Sequence, residues 1–295
     1  MLKYQFMILL IAICPSVIFL IILNVWRKHQ LKKGKAPFTD NFLRSPGESL
    51  FSQIQDLSEK ISMANLEFVL IPVLIGVLFI PAISASSKIF IAVVAAAYMV
   101  FLIYYITKIL KLIKERRLNR LGYDGEVAAG QELNQLMLDG YNVYHDFPAD
   151  KFNIDHIIVG PDAVYAVETK TRSKPRTKSN RDNYRSISDG KTLQFHNYSS
   201  SEFIDQAERQ AKWLQKWLSS AVGDHVTVKP ILLLPGWYVE MVKPDGVPVL
   251  NPKVVLQFLA NKEKSLSQSL RTRIVHQLDQ KCRDIEPKTV QIENQ

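Results

Sequence analysis

Three apolar runs constrain this chain more than anything else in it. Gln5 to Val25 carries no ionisable side chain, and Phe68 to Ile83 and Ile89 to Thr107 are similarly apolar, separated only by Ser84-Ala85-Ser86-Ser87-Lys88. At 1.5 Å per helical residue the first run is long enough to span a bilayer, and the other two suit a helical hairpin. The basic residues sit beside these runs. Arg27, Lys28, Lys32, Lys33 and Lys35 follow the first, and Lys108, Lys111, Lys114, Arg116, Arg117 and Arg120 follow the last, opposed only by Glu115. The positive-inside rule therefore puts both flanks, and the chain after them, in the cytoplasm. The formal charge of +9 is in the first place a topology signal.

The run at Gln5 to Val25 ends in Asn24-Val25-Trp26-Arg27, which is not a small-residue cleavage site, so a retained anchor is expected rather than a removed signal peptide. Three spans are expected, with one anchor plus a shallow re-entrant hairpin as the alternative. No ionisable residue lies deep in any run, so an anchor is expected rather than a transport path. Between the spans, Leu50, Ile54, Leu57 and Ile61 recur at helical spacing and form one apolar stripe. It suits the cytoplasmic membrane face, packing on the soluble domain, or a plain connector helix. Two cysteines, Cys14 and Cys282, exclude a disulfide framework and fit a reducing compartment.

The expected order is an anchor at 1–26, a linker with an amphipathic helix at 27–65, a membrane hairpin at 66–110, a basic juxtamembrane stretch at 111–121, an α/β domain at 122–245 and a helical extension at 246–295. In the domain, Gly122-Tyr123-Asp124-Gly125-Glu126 precedes a helical pattern ending at Asp139-Gly140, and Tyr141 to Phe147 alternates as a strand. Ile154 to Val159 and Ala163 to Val167, joined by Gly160-Pro161-Asp162, form a β-hairpin. Phe203 to Leu218 has the clearest helical period. Val226 to Leu234 reads as a strand in which Pro230 favours an edge or a start, Trp237 to Val242 and Val247 to Leu250 as short extended pieces, and Leu266 to Leu278 as a last helix.

The hairpin holds the chemistry. In a regular register, positions whose numbers sum to 323 face each other, which sets Asp155 opposite Glu168; Lys170 shares a face with Glu168 because strand side chains alternate. Opposed carboxylates repel unless a proton or cation lies between them, and hard divalent ions favour oxygen ligands. Asp155, Glu168 and Lys170 thus describe a metal site with an adjacent ammonium, or else a hairpin whose polar ends face solvent with Lys170 neutralising Glu168. His156 falls on the opposite strand face, where a packing or surface histidine is expected, and His145 and His196 lack zinc-ligand spacing. Between Arg172 and Lys191 seven basic residues stand against Asp182 and Asp189. Six of them, Arg172, Lys174, Arg176, Lys178, Arg181 and Arg185, are candidate contacts to a phosphate backbone, although a solvated loop explains the composition equally.

Taken in order, Gly125-Glu126, Asn153-Ile154-Asp155-His156, Gly160-Pro161 and Glu168-Thr169-Lys170 resemble the nuclease-related domain family, a branch of the PD-(D/E)xK restriction-endonuclease-like fold. The likeness covers about residues 122 to 240. It implies a central mixed β-sheet flanked by helices and metal-dependent phosphodiester cleavage. It also implies site roles for Glu126 from the first helix, for Asp155, Glu168 and Lys170 from the hairpin, and for Gln206 from the following helix. Glu126, Asp155 and Glu168 would hold Mg²⁺ or Mn²⁺, Lys170 would orient water or offset phosphate charge, and Gln206 would position substrate or water. One departure from the pattern is the long basic segment between Lys170 and Gln206. The expected partners are nucleic acid, DNA ahead of RNA, the lipid bilayer, and a second copy through the membrane or C-terminal helices. The expected location is a cell membrane such as a bacterial inner membrane, with the domain on the cytoplasmic side. A tethered binder that does not cleave, and a membrane scaffold with a degenerate nuclease fold, are the alternatives.

Overall fold

The computed structural model describes residues 18–19, 21–23, 25–26, 40–83, 88–173, 184–196, 198–242, 246–260 and 262–287. Most of the expected anchor and its basic flank lie outside these residues, as do Lys174, Arg176, Lys178 and Arg181. The chain forms two compact units. One comprises residues 1–40, 55–116 and 286–295; the other comprises residues 41–54 and 117–285.

Two long helices, α1, Glu48–Ile83, and α2, Lys88–Asn134, contribute residues 55–83 and 88–116 to the first unit. Within that unit they run side by side. Glu67 on α1 accepts from Lys108 Nζ at 3.0 Å and from the Tyr105 hydroxyl at 3.2 Å, and Phe68 stacks on Phe101 at 6.3 Å. Leu57, Ile61 and Ala64 are buried, whereas Val93, Val100 and Ile103 are well exposed. Among the described residues one helix, Lys88–Asp139 with its 3-10 end, is long and apolar enough to cross a membrane.

Both helices correct the expected boundaries. The stretch assigned to a linker up to residue 65 and the second apolar run are one helix, and Pro72 and Pro81 lie inside it. The basic stretch 111–121 and the Gly122 to Gly125 segment, expected to precede a helix, are the interior of α2. Glycine lowers helix propensity, but packing decides here. A Cβ on Gly125 would overlap Thr171 Oγ1 and lie 2.8 Å from Thr171 Cβ, and one on Gly122 would lie 3.0 Å from Leu50 Cδ1.

The second unit is built on a five-stranded sheet in the order β1-β2-β3-β7-β9. Strands β1, Asn142–Pro148, β2, Asn153–Val159, and β3, Val164–Thr169, are antiparallel neighbours; β7, Val228–Leu233, and β9, Val249–Leu250, continue the sheet in parallel with β3. The hairpin register is the expected one, with His156 opposite Val167, Ile157 opposite Ala166 and Val159 opposite Val164. Pro230 fits because β9 is short: it pairs only with Leu232 and Leu233, so Pro230 meets no strand on that side.

Alternation splits the strand residues between two cores. Ile157, Val159, Val164 and Ala166 pack with Ala211, Leu214 and Leu218 of α3, Glu202–Val222, and with Ile274 and Leu278 of α5, Gln268–Cys282. Ile158, Tyr165 and Val167 pack on the other face with Ala129 and Leu133 of α2 and with Val255 and Leu259 of α4, Val255–Leu259. The unit is thus helix on sheet on helix. A second sheet, in the order β6-β5-β4-β8, is made of β4, Arg185–Ser188, β5, Leu193–Phe195, β6, Tyr198–Ser200, and β8, Tyr238–Met241. It was not expected, because three of its strands are only three or four residues long and come from largely polar sequence.

Residues 41–54 belong to this unit. Phe42 pairs with Ile285 through two backbone bonds, N to O at 2.8 Å and O to N at 3.2 Å. Arg44 bridges Asp146 at 2.6 Å and Asp284 at 2.7 Å.

Candidate active site

The strand pairing that places Ile157 against Ala166 continues, one step beyond the paired residues, to Asp155 and Glu168. There the backbone N–H of Thr169 donates to Asp155 Oδ2 at 2.6 Å. Glu168 shares a sheet face with Val164 and Ala166 and is therefore turned to α3. Gln206 Nε2 donates to its Oε1 at 2.8 Å, and Gln210 Nε2 to its Oε2 at 2.6 Å. Lys170 Nζ approaches Oε1 at 2.6 Å and lies 5.5 Å from the Phe203 ring centre. Glu126 reaches the same region from α2. Its placement follows from the Gly125–Thr171 contact, which seats the helix against the end of β3.

All five residues expected from the sequence therefore gather in one place. Burial, followed by the charges of Asp146 and Glu168, pushes the Glu126 carboxyl up to about 8, while Lys170 opposes the shift. Burial, then Glu168 and Glu126, raises Asp155 well above the usual carboxylate range, against the Thr169 N–H and Lys170. Glu168 is raised by burial, against Lys170 and Gln210. Burial raises all three acids, and on Glu126 and Asp155 neighbouring carboxylates add to it, so the cluster favours added positive charge.

This donor set suits a hard divalent cation. Asp155 is only partly buried, and among the described residues no donor reaches Glu126. Buried Thr169 Oγ1, Thr171 Oγ1 and Gln210 Oε1 have no partner there. As placed, however, no three His, Cys, Asp or Glu side chains among the described residues close into a metal-holding group. Glu168 is engaged by Lys170 and the two glutamines, so the ammonium holds the position of positive charge.

Two residues were missed. Gln210 lies one helical turn from Gln206, and its i+4 spacing was the available signal. Asp146 is buried in β1 at φ 49 and accepts from Arg44 Nη1 at 2.6 Å, Ser49 N at 3.0 Å, Ser49 Oγ at 2.6 Å and Asn153 Nδ2 at 3.2 Å. Asn153 in turn offers its carbonyl to Gln210 Nε2 at 3.3 Å, which links this network to Glu168.

His145 and His156 contact each other on the strand face opposite Glu168. His156 is fully buried, its Nδ1 is 2.8 Å from His145 Nδ1, and His145 Nε2 is 2.9 Å from Asn134 Oδ1. Burial lowers His145 to about 4, and burial together with His145 holds His156 well below the usual imidazole range. Of the basic segment, Arg172 stacks on Phe195 at 4.6 Å and Tyr198 at 4.4 Å, and Arg185 pairs with Glu240.

Residues 121–235 match the model of the family described as the nuclease-related domain, close to the extent expected from the sequence. No curated protein and no solved structure matches the chain.

Proposed function

We propose that the nuclease-related domain at residues 121–235 hydrolyses phosphodiester bonds with Mg²⁺ or Mn²⁺, in DNA ahead of RNA, while apolar helices hold it at the cytoplasmic face of a membrane. The observation that carries this reading is the convergence of Glu126, Asp155 and Glu168 from separate elements beside the Lys170 ammonium. A bound divalent cation would offset charge on the phosphate oxygens and acidify water. The carboxylates of Glu126, Asp155 and Glu168 would hold it.

The chain's own groups divide the remaining work. Lys170 Nζ, one quarter exposed, can turn from Glu168 to a phosphate oxygen or the attacking water. Gln206 is the outer of the two amides on Glu168 and can do the same, whereas Gln210 is buried and holds Oε2 in place. In the cation-free site Glu126 keeps a proton to about pH 8. Membrane attachment is supported by the exposed apolar side chains of α2 and the basic residues from Lys108 to Arg120.

One observation favours the tethered, non-cleaving binder: both Glu168 oxygens are already occupied by donors of the protein. One experiment separates the two readings. The full chain in detergent is incubated with supercoiled, linear and single-stranded DNA and with RNA, with Mg²⁺ or Mn²⁺ and again with chelator. Cleavage that needs the cation and is lost in Asp155→Ala supports the nuclease. Equal signal from wild type and Asp155→Ala refutes it.

A further inference from the structure

The carboxylate cluster leaves unused a cleft at the other side of the sheet end. Strands β3, β7 and β9 are parallel, and Glu168, Leu232 and Val249 stand in one row across them. Open sheets of parallel strands bind ligands in the crevice beyond the carboxyl ends. At that end Tyr184, Trp237, Tyr238, Val249, Asn251 and Lys253 contribute to a cavity of about 620 Å³. Two strand spacings separate its wall at Val249 from Glu168, roughly 10 Å.

The lining has a definite chemistry. Tyr238 is 69% exposed, and among the described residues no other ring stacks on it. Trp237 forms buried wall, edge-on to Phe195 at 4.9 Å, and among the described residues its indole N–H has no partner. Asn251 is committed to the protein, accepting from Lys253 N at 3.1 Å and donating to the Trp237 carbonyl at 2.8 Å. Lys253 is exposed, and among the described residues none that lines the cavity is acidic. Flat aromatic surface, apolar walls and the Lys253 cation complement a nucleobase with its attached phosphate.

We propose that this cleft takes an unpaired base, so that the substrate is single-stranded nucleic acid or the single-stranded part of a larger one. Bases in a duplex are stacked on each other and cannot offer a face to Tyr238. The inference rests on the nuclease reading only for the claim that the same strand continues to Glu168.

The test uses the full chain in detergent, with chelator present, and follows the fluorescence anisotropy of a short labelled oligothymidylate. Its hybridised duplex and an abasic strand of equal charge serve as comparisons. Tyr238→Ala should weaken single-strand binding about 5- to 150-fold, the range for losing one aromatic stack. Tyr238→Phe should restore it, and the abasic strand should bind wild type weakly and be indifferent to Tyr238→Ala. Equal single-strand affinity of wild type and Tyr238→Ala overturns the cleft assignment, even if Asp155-dependent cleavage stands. A change in oligomeric state without a change in oligonucleotide affinity overturns it too, and assigns the cleft to a second copy. Tyr238-dependent binding with no cleavage keeps the cleft and rejects the nuclease. Absence of binding to any nucleic acid rejects both.

Discussion

Glu126 offers a direct measure of how the site is held together, because its effect on stability has a sign fixed by pH. Its carboxyl ionises near 4.5 in an unfolded chain and near 8 in the folded, cation-free domain. Between those values the folded state keeps a proton that the unfolded state has released, so stability falls as pH rises through this window. At pH 7 the interval above 4.5 corresponds to about 3 kcal/mol, at ~1.4 kcal/mol per pH unit. Glu126→Gln keeps the shape and removes the ionisation. In chelator it should stabilise the second unit by up to about 3 kcal/mol at pH 7, or roughly 6–12 °C in Tm, and by little near pH 4.5. Tryptophan fluorescence melts of the full chain at several pH values, reporting Trp213, Trp217 and Trp237, would follow it. Addition of Mn²⁺ should stabilise wild type and not the variant. A wild-type to variant difference that does not change with pH would refute the account of a buried, proton-holding acid.

Two further substitutions probe the parts that position the site. Arg44→Ala leaves Asp146 buried with only Ser49 and Asn153 as donors. It should cost about 2 kcal/mol in urea unfolding, below the 3–5 kcal/mol of a fully buried broken pair because those donors remain, and Arg44→Lys should recover only part. A loss under about 0.5 kcal/mol would show that the bridge is incidental. Gly125→Ala should destabilise by about 1–3 kcal/mol and reduce cleavage, despite alanine's higher helix propensity, because the added methyl overlaps Thr171. Thr171→Ala in that background should restore part of the loss, since the Thr171 Cβ position stays 2.8 Å away. No recovery would mean that the helix approach is set elsewhere.

What the chain reveals by inspection depends on the range of the interaction. The hairpin from Asn153 to Thr169 was legible, register included, because a short Gly-Pro-Asp turn joins two β-rich runs and period-two alternation does the rest. Gln206 was legible only through the family resemblance, as the glutamine of the following helix; its helical period did not set it apart from Gln210. Asp146 was not, since its partners Arg44 and Ser49 lie about a hundred positions earlier and nothing local marks the contact. The interior of α2 from Gly122 to Gly125 misled in the opposite direction. Two glycines signal a break, and only the neighbouring Thr171 and Leu50 show why they are needed inside a helix. The second sheet was hidden because Arg185–Ser188, Leu193–Phe195 and Tyr198–Ser200 are short and are stabilised by one another rather than by a pattern.

The five-stranded sheet also limits how copies of this domain can meet. At one end β9 offers only two residues, and beside it Pro230 has no N–H to give an incoming strand. At the other end β1 is bent at Asp146, with φ 49, and closes on Pro148. Neither border is a straight ladder of free amides and carbonyls, so each resists growth by addition of a foreign strand. Wherever copies of the domain meet, these blunt borders keep such encounters from becoming fibres.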